Sequence, residues 1–344
     1  MENTIDIPQQ KPLTKKDFES DQLVRWCPGC GDYSILSAMT NALPQLNIPR
    51  ENFVFVSGIG CAARFPYYMN TFGFHTIHGR GPAVATGVKL ANPKLSVWEI
   101  QGDGDAMAIG GNHFIHALRR NIDINIILFN NEIYGLTKGQ YSPTSPTGLV
   151  TKSTPYGSVE RPFQAAELVI GAQGTFYART IDTNPKLMTE IFVHAANHVG
   201  TSLVEVLQNC VIFNDDAHAA VTAKQNRDDF QLHVKHGQPL LYGKDNKKGI
   251  RLNGLKLEAV TIGENGITEN DILVHDAHHE DPTLHLMLAR MAPPHFPMAL
   301  GVIREVRAKT YDEAIAEERE KITANARYHS VDDLLKSGEV WEIK

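Results

Sequence analysis

Two polar turns, each at the end of an apolar run, constrain this chain most. The first is Gly102-Asp103-Gly104-Asp105, and the second is Asn130-Asn131-Glu132, with Asn131 lying 28 positions (131 minus 103) beyond Asp103. Residues 95–100 read as one strand. Residues 124–129 (INIILF) read as another, apolar at nearly every position as a strand covered on both faces must be. In an open parallel sheet, strand exits gather at the crevice where ligands bind. A carboxylate (Asp103) and an amide oxygen (Asn131) placed there are hard ligands suited to Mg²⁺, which commonly carries phosphate groups. The plain alternative is that Asp103 caps a helix and Asn131 turns a loop. Gly102-Asp103-Gly104 does not continue as G-x-G-x-x-G, which argues against a nicotinamide dinucleotide site.

Strands and helices alternate along the chain as far as about residue 228. Further strands are expected over 52–57, 175–179 and 202–207, and helices over 33–43, 82–90, 106–120, 163–171 and 185–198. Asp32 is placed to cap the first helix. The alternation predicts an α/β fold built on a doubly wound, mostly parallel sheet. Residues 142–161 are rich in Pro, Thr, Ser and Gly without periodicity, the signature of a long loop of the kind that forms lids. Beyond 228 the pattern suggests a hairpin (240–243 with 249–252) and a Glu/Arg-rich helix over 311–325. Three parts are expected: a polar arm (1–21), a main domain (22–235), and a C-terminal extension (236–344) packing on the core or on a partner chain. The group His275, His278, His279 and His285 falls in that extension and reads as solvated or interface side chains rather than metal ligands.

The net charge of −6, with no basic block, gives no reason to expect nucleic acid. No apolar run is long enough to span a bilayer, and the polar first residues lack the apolar segment of a secretory signal, so a cytoplasmic protein is expected. In that compartment the four cysteines, Cys27, Cys30, Cys61 and Cys210, are poorly explained by disulfides. Cys27 and Cys30 form a CxxC pair, while Cys61 and Cys210 each stand at an expected strand exit. Four thiolates suit an iron–sulfur cluster or a zinc ion, and the ligand set alone does not choose between them. A redox dithiol with two buried thiols is the third reading.

The segments RWCPGCGDYSIL, GIGCAAR, HTIHGRGPAVATGVKLANP, GDGDAMAIGGNHFIHALRRN and FNNEIYGLTKGQYSPTS together resemble the β subunits of 2-oxoacid:ferredoxin oxidoreductases, closest to the 2-oxoglutarate branch. The resemblance covers roughly residues 22–240. It implies a sheet of the thiamine diphosphate-binding type and a [4Fe–4S] cluster on Cys27, Cys30, Cys61 and Cys210. It implies Mg²⁺ on Asp103, Asn131 and the Ile133 carbonyl. Thiamine diphosphate contacts would come from Ile59, Gly60, Cys61, Ala62, His78, Gly104, Asp105, Gly135 and Leu136. It further implies an α subunit completing the active site and supplying the glutamate that activates the cofactor, a role for which Glu132 is a poor candidate. The implied reaction is oxidative decarboxylation of 2-oxoglutarate with coenzyme A, giving succinyl-CoA and CO₂, with electrons passed to ferredoxin. Arg64 and Lys138 are candidates for holding the substrate carboxylate. The alternatives are the same complex acting on pyruvate or a branched-chain 2-oxoacid, a zinc-stabilised binding subunit without redox chemistry, and a cluster-free decarboxylase.

Overall fold

Alternating side chains along the strands sort the core into two layers, as the two-residue period of a strand requires. Val54, Val56, Val97 and Ile126 face one layer, and Phe53, Phe55, Trp98 and Ile127 the other. The computed structural model describes residues 12–343. In chain order, α1 (Asp32–Ala42) leads to β1 (Phe53–Ser57), α2 (Phe65–Tyr68) to β2 (Phe72–His75), and α3 (Gly81–Ala91) to β3 (Ser96–Gly102). Next come α4 (Asp103–Met107), α5 (Gly111–Arg120) and β4 (Asn125–Asn130), then a small hairpin of β5 (Ile133–Tyr134) and β6 (Gln140–Tyr141). Then follow α6 (Ala165–Gly171), β7 (Phe176–Ile181), α7 (Pro185–Asn197) and β8 (Ser202–Leu207). Beyond them lie β9 (Gln231–Val234), a three-stranded sheet of β10 (Leu241–Tyr242), β11 (Lys248–Asn253) and β12 (Lys256–Thr261), and finally β13 (Met298–Glu305).

The main sheet runs β2-β1-β3-β4-β8-β7-β13-β9. Its neighbours are parallel except β13, which is antiparallel to β7. Helices α3, α5 and α6 pack on one face, and α1 and α7 on the other. Residues 298–305, within the expected extension, thus supply an interior strand of the main sheet.

Several local expectations change. The helix expected over 106–120 is broken between α4 and α5. Gly110 packs so tightly that a Cβ there would come within 2.3 Å of the Asp105 carbonyl oxygen and 3.0 Å of Gly79 Cα. The loop carrying His78 packs directly against this break. Asp32 does not cap α1: Gly31 holds that position, and Asp32 is a buried first-turn residue. Strand β2 had no sequence signal, because all four of its residues are exposed on the sheet edge. Of the expected arm, residues 1–11 lie outside the described residues. Within 12–21, Phe18 is fully buried with its ring 5.6 Å from that of Phe53.

His275 and His285 are not solvated. They are 2% and 1% exposed, and bond the carbonyls of Val302 and Asp276 within the chain. Burial holds both imidazoles below the usual histidine range, so they are neutral packing groups. His278 and His279 are exposed, with Nδ1 of each at the carbonyl of Glu305 and Asp281, respectively.

Candidate active site

Strands β1, β3, β4 and β8 lie side by side and run the same way, so their C-terminal ends open along one edge. A cavity of about 500 Å³ lies there. Ile59, Gly60, Cys61 and Ala62 line it from the β1 exit, with His78 beside them. Asp103, Gly104 and Asp105 line it from the β3 exit, and Asn131, Ile133, Gly135 and Leu136 from beyond β4. Every residue expected to touch thiamine diphosphate or Mg²⁺ therefore faces one space. Asp32, Tyr134, Thr137 and Gln140 face it too.

Asp103 is 2% exposed. The Ser142 and Thr144 hydroxyls both donate to its Oδ2, at 2.5 and 2.6 Å. Burial pushes the Asp103 carboxyl up, and these hydroxyls oppose the shift. Thr144 Oγ1 also lies 3.0 Å from Asn130 Oδ1, while Asn130 Nδ2 donates to Glu205 Oε1 at 2.8 Å. Glu205 in turn pairs with Arg179 at 2.7 Å, both side chains being 4% exposed. Asp103 is thus held by a polar chain reaching back to a buried ion pair between β7 and β8. The start of the expected lid, 142–145, is clamped down on the site. Ser142, Thr144, Asn130 and Glu205 escaped the sequence reading. The cluster of hydroxyls in Ser142-Pro143-Thr144-Ser145 was the available signal.

Asp105 braces the loops. Its Oδ1 accepts from the amides of Ile59 (3.1 Å) and Gly79 (2.7 Å) and lies 2.5 Å from His78 Nδ1. Beneath it, Glu99 on β3 is fully buried, and neither carboxyl oxygen finds a hydrogen-bond partner among the described residues. Burial and then the Asp105 charge push the Glu99 carboxyl well above its ordinary range. The stability linked to this shift is fully present below the unfolded value near 4.5, and is lost as pH rises through the folded value. Glu99→Gln is therefore expected to melt like the parent in mild acid and above it in alkali, by calorimetry. Parallel melting curves across that range would contradict the upward shift of Glu99.

A second cavity, of about 240 Å³, is lined by Cys27, Cys30, Cys61 and Cys210. It shares Asp32, Cys61, Asn131, Gly135 and Leu136 with the first, so the two spaces abut across a wall one residue thick. A Cβ on Gly135 would sit 3.4 Å from Cys61 Sγ and 3.5 Å from Cys210 Sγ, so this residue lies directly against both thiols. Burial, followed by the Asp32 charge, pushes the Cys30 thiol up and the Cys61 thiol up to about 12. Without a cationic centre these sulfurs keep their protons. Cys27 is the exposed member of the four.

Arg64 and Lys138 line the thiol cavity but not the larger one. Arg64 Nε donates to the Tyr68 hydroxyl at 2.9 Å. Glu132 is also outside the larger cavity, with its carboxylate 3.9 Å from His218 Nδ1. Among the described residues no helix is long and apolar enough to cross a membrane.

A family model for thiamine pyrophosphate enzymes, the C-terminal TPP binding domain, matches residues 58–206. The chain is 51% identical over 312 residues to the 2-oxoglutarate oxidoreductase subunit KorB of Mycobacterium tuberculosis, covering 90% of this chain and 82% of that one. It is 47% identical over 185 residues to the 2-oxoglutarate synthase subunit KorB of Archaeoglobus fulgidus, 54% of this chain and 69% of that one. A solved 2-oxoglutarate:ferredoxin oxidoreductase from Magnetococcus marinus, with 2-oxoglutarate, coenzyme A and succinyl-CoA bound, matches with a TM-score of 0.75 at 30% identity, covering 95% of this chain and 97% of that one. The adjoining cavities and the length of these matches agree: the chain belongs to the β subunits of the 2-oxoacid:ferredoxin oxidoreductases.

Proposed function

We propose that this β subunit works with an α subunit to convert 2-oxoglutarate and coenzyme A to succinyl-CoA and CO₂ in the cytoplasm, releasing two electrons to ferredoxin. The observation that carries this reading is the shared wall between a cofactor-sized cavity and a four-thiol cavity. The donor sets fit the groups. Asp103, Asn131 and the Ile133 carbonyl are hard oxygen ligands for Mg²⁺. Gly104, Asp105, Gly135 and Leu136 line the same cavity, and their amides would meet a diphosphate. The four cysteines would hold a [4Fe–4S] cluster.

Thiamine diphosphate, when bound, supplies the carbanion chemistry of decarboxylation, and the cluster accepts single electrons. The chain's own task is orientation. Ser142 and Thr144 fix Asp103, and Asp105 ties the β1 exit to the His78 loop. Among the described residues the carboxylates lining the larger cavity are Asp32, Asp103 and Asp105, all aspartates, which supports completion of the site by the α subunit.

The test is co-purification with the α partner under anaerobic conditions. Iron, acid-labile sulfide and bound thiamine diphosphate are measured, then coenzyme A-dependent viologen reduction. 2-Oxoglutarate is expected to exceed pyruvate by at least about 100-fold in kcat/KM, because a site built for a second carboxylate rejects a substrate lacking it. Equal turnover of pyruvate overturns the substrate. Zinc without iron overturns the redox role.

A further inference from the structure

One buried side chain lining the thiol cavity touches a candidate ligand of each centre. Gln208, the first residue beyond β8, is 1% exposed. Its Oε1 accepts from Asn131 Nδ2 at 2.7 Å. Its Nε2 donates to Cys30 Sγ at 3.3 Å and to the Asn209 carbonyl at 2.6 Å, which uses both amide protons. Its own backbone N–H is tied to the Asn130 carbonyl at 2.9 Å, so the residue is pinned at both ends.

We propose that Gln208 is a positioning residue for both centres at once: it orients the Asn131 oxygen toward Mg²⁺ and sets the electron density on the Cys30 sulfur. The inference rests on the function proposed above and adds a residue and a coupling to it. On the Asn131 side the geometry is closed. Asn131 Nδ2 is engaged by Gln208, and Asn131 Oδ1 accepts from the Ile133 amide at 3.2 Å. The side chain therefore cannot flip without losing both bonds, and its oxygen keeps a free lone pair. On the sulfur side, an N–H donated to a thiolate withdraws charge and raises the reduction potential of the centre it ligates. The fit is tight: a Cβ on Gly31 would come within 3.0 Å of Gln208 Cγ. Only an amide of this length offers an acceptor to one side and a donor to the other.

The experiment uses the complete complex, carrying Gln208→Met or Gln208→Glu. Methionine matches the volume and offers neither bond, whereas glutamate keeps an oxygen for Asn131. Affinity for thiamine diphosphate with Mg²⁺ is measured by calorimetry on cofactor-stripped, iron-loaded protein. The midpoint potential is measured by an EPR-monitored redox titration. The methionine variant is expected to lose about 10–100-fold in affinity, as for loss of a residue that orients a metal ligand. Its potential should move to a more negative value. The glutamate variant should keep an affinity close to the parent's, and it tests the Asn131 contact even if the methionine variant fails to fold. Equal affinity losses in the two variants, or an unchanged potential in the methionine variant, would overturn the proposal. A parent complex lacking iron or thiamine diphosphate would instead overturn the underlying function.

Discussion

Replacing Asp103 with alanine is expected to abolish thiamine diphosphate binding and turnover while leaving the iron content of the complex unchanged. The residue is buried at the β3 exit, with two hydroxyls holding one carboxylate oxygen. Residues that merely orient a metal ligand are worth about 10–100-fold in metal affinity, so removal of the ligand itself should exceed that range. The four cysteines lie in the neighbouring cavity, and none of them bonds to Asp103. Iron analysis and calorimetric titration with thiamine diphosphate, run on the same preparation, separate the two centres. Loss of iron with retained cofactor would reverse the assignment of the cavities.

The largest expected change in stability comes from Arg179→Met. Arg179 and Glu205 form an ion pair 2.7 Å apart, buried between β7 and β8, and Glu205 also accepts from the Tyr177 hydroxyl and from Asn130. Burial alone would raise the Glu205 carboxyl, but the Arg179 charge and these hydrogen bonds outweigh it and hold the group below the usual carboxylate range. Removing the guanidinium strands a buried charge, a loss of about 3–5 kcal/mol. The pH dependence should invert as well. In the parent this contribution is present above the unfolded carboxylate value and fades as pH falls through the folded one. In the variant the Glu205 value rises, so stability falls as pH rises. Chemical denaturation at two pH values tests both signs. A variant losing less than about 1 kcal/mol would show the pair to be replaceable.

What could be read from the sequence was the part governed by local chemistry. INIILF reads as a covered strand because both faces of β4 are buried. Asp103, Asn131 and the cysteines stood out because ligand chemistry needs those residue types at strand exits. Their partners did not stand out. Arg179 and Glu205 meet only through the β7–β8 register, and Gln208 is an ordinary glutamine until the fold sets Cys30 and Asn131 on either side of it. Strand β2 lacks the alternation that burial imposes, since all four of its residues stay exposed at the sheet edge. The break after α4 lies against a loop some thirty residues upstream, whose Gly79 meets Gly110 closely, a contact that no local pattern announces. Asp32 was placed as a cap by its position, yet it lies among the thiols and cavity walls.

The position of β13 has a consequence for how the chain is made. Arg179 on β7 pairs with Gly301, and Met298 pairs with Gln231 on β9, so the β7 side of the sheet stays open until a late segment arrives. On the ribosome, β7 must wait as an unsatisfied edge through the synthesis of more than a hundred further residues. Pairings so distant in sequence slow folding and leave sticky intermediates exposed. A fragment ending near residue 235 keeps every cavity-lining residue named above, yet it should emerge as an aggregate.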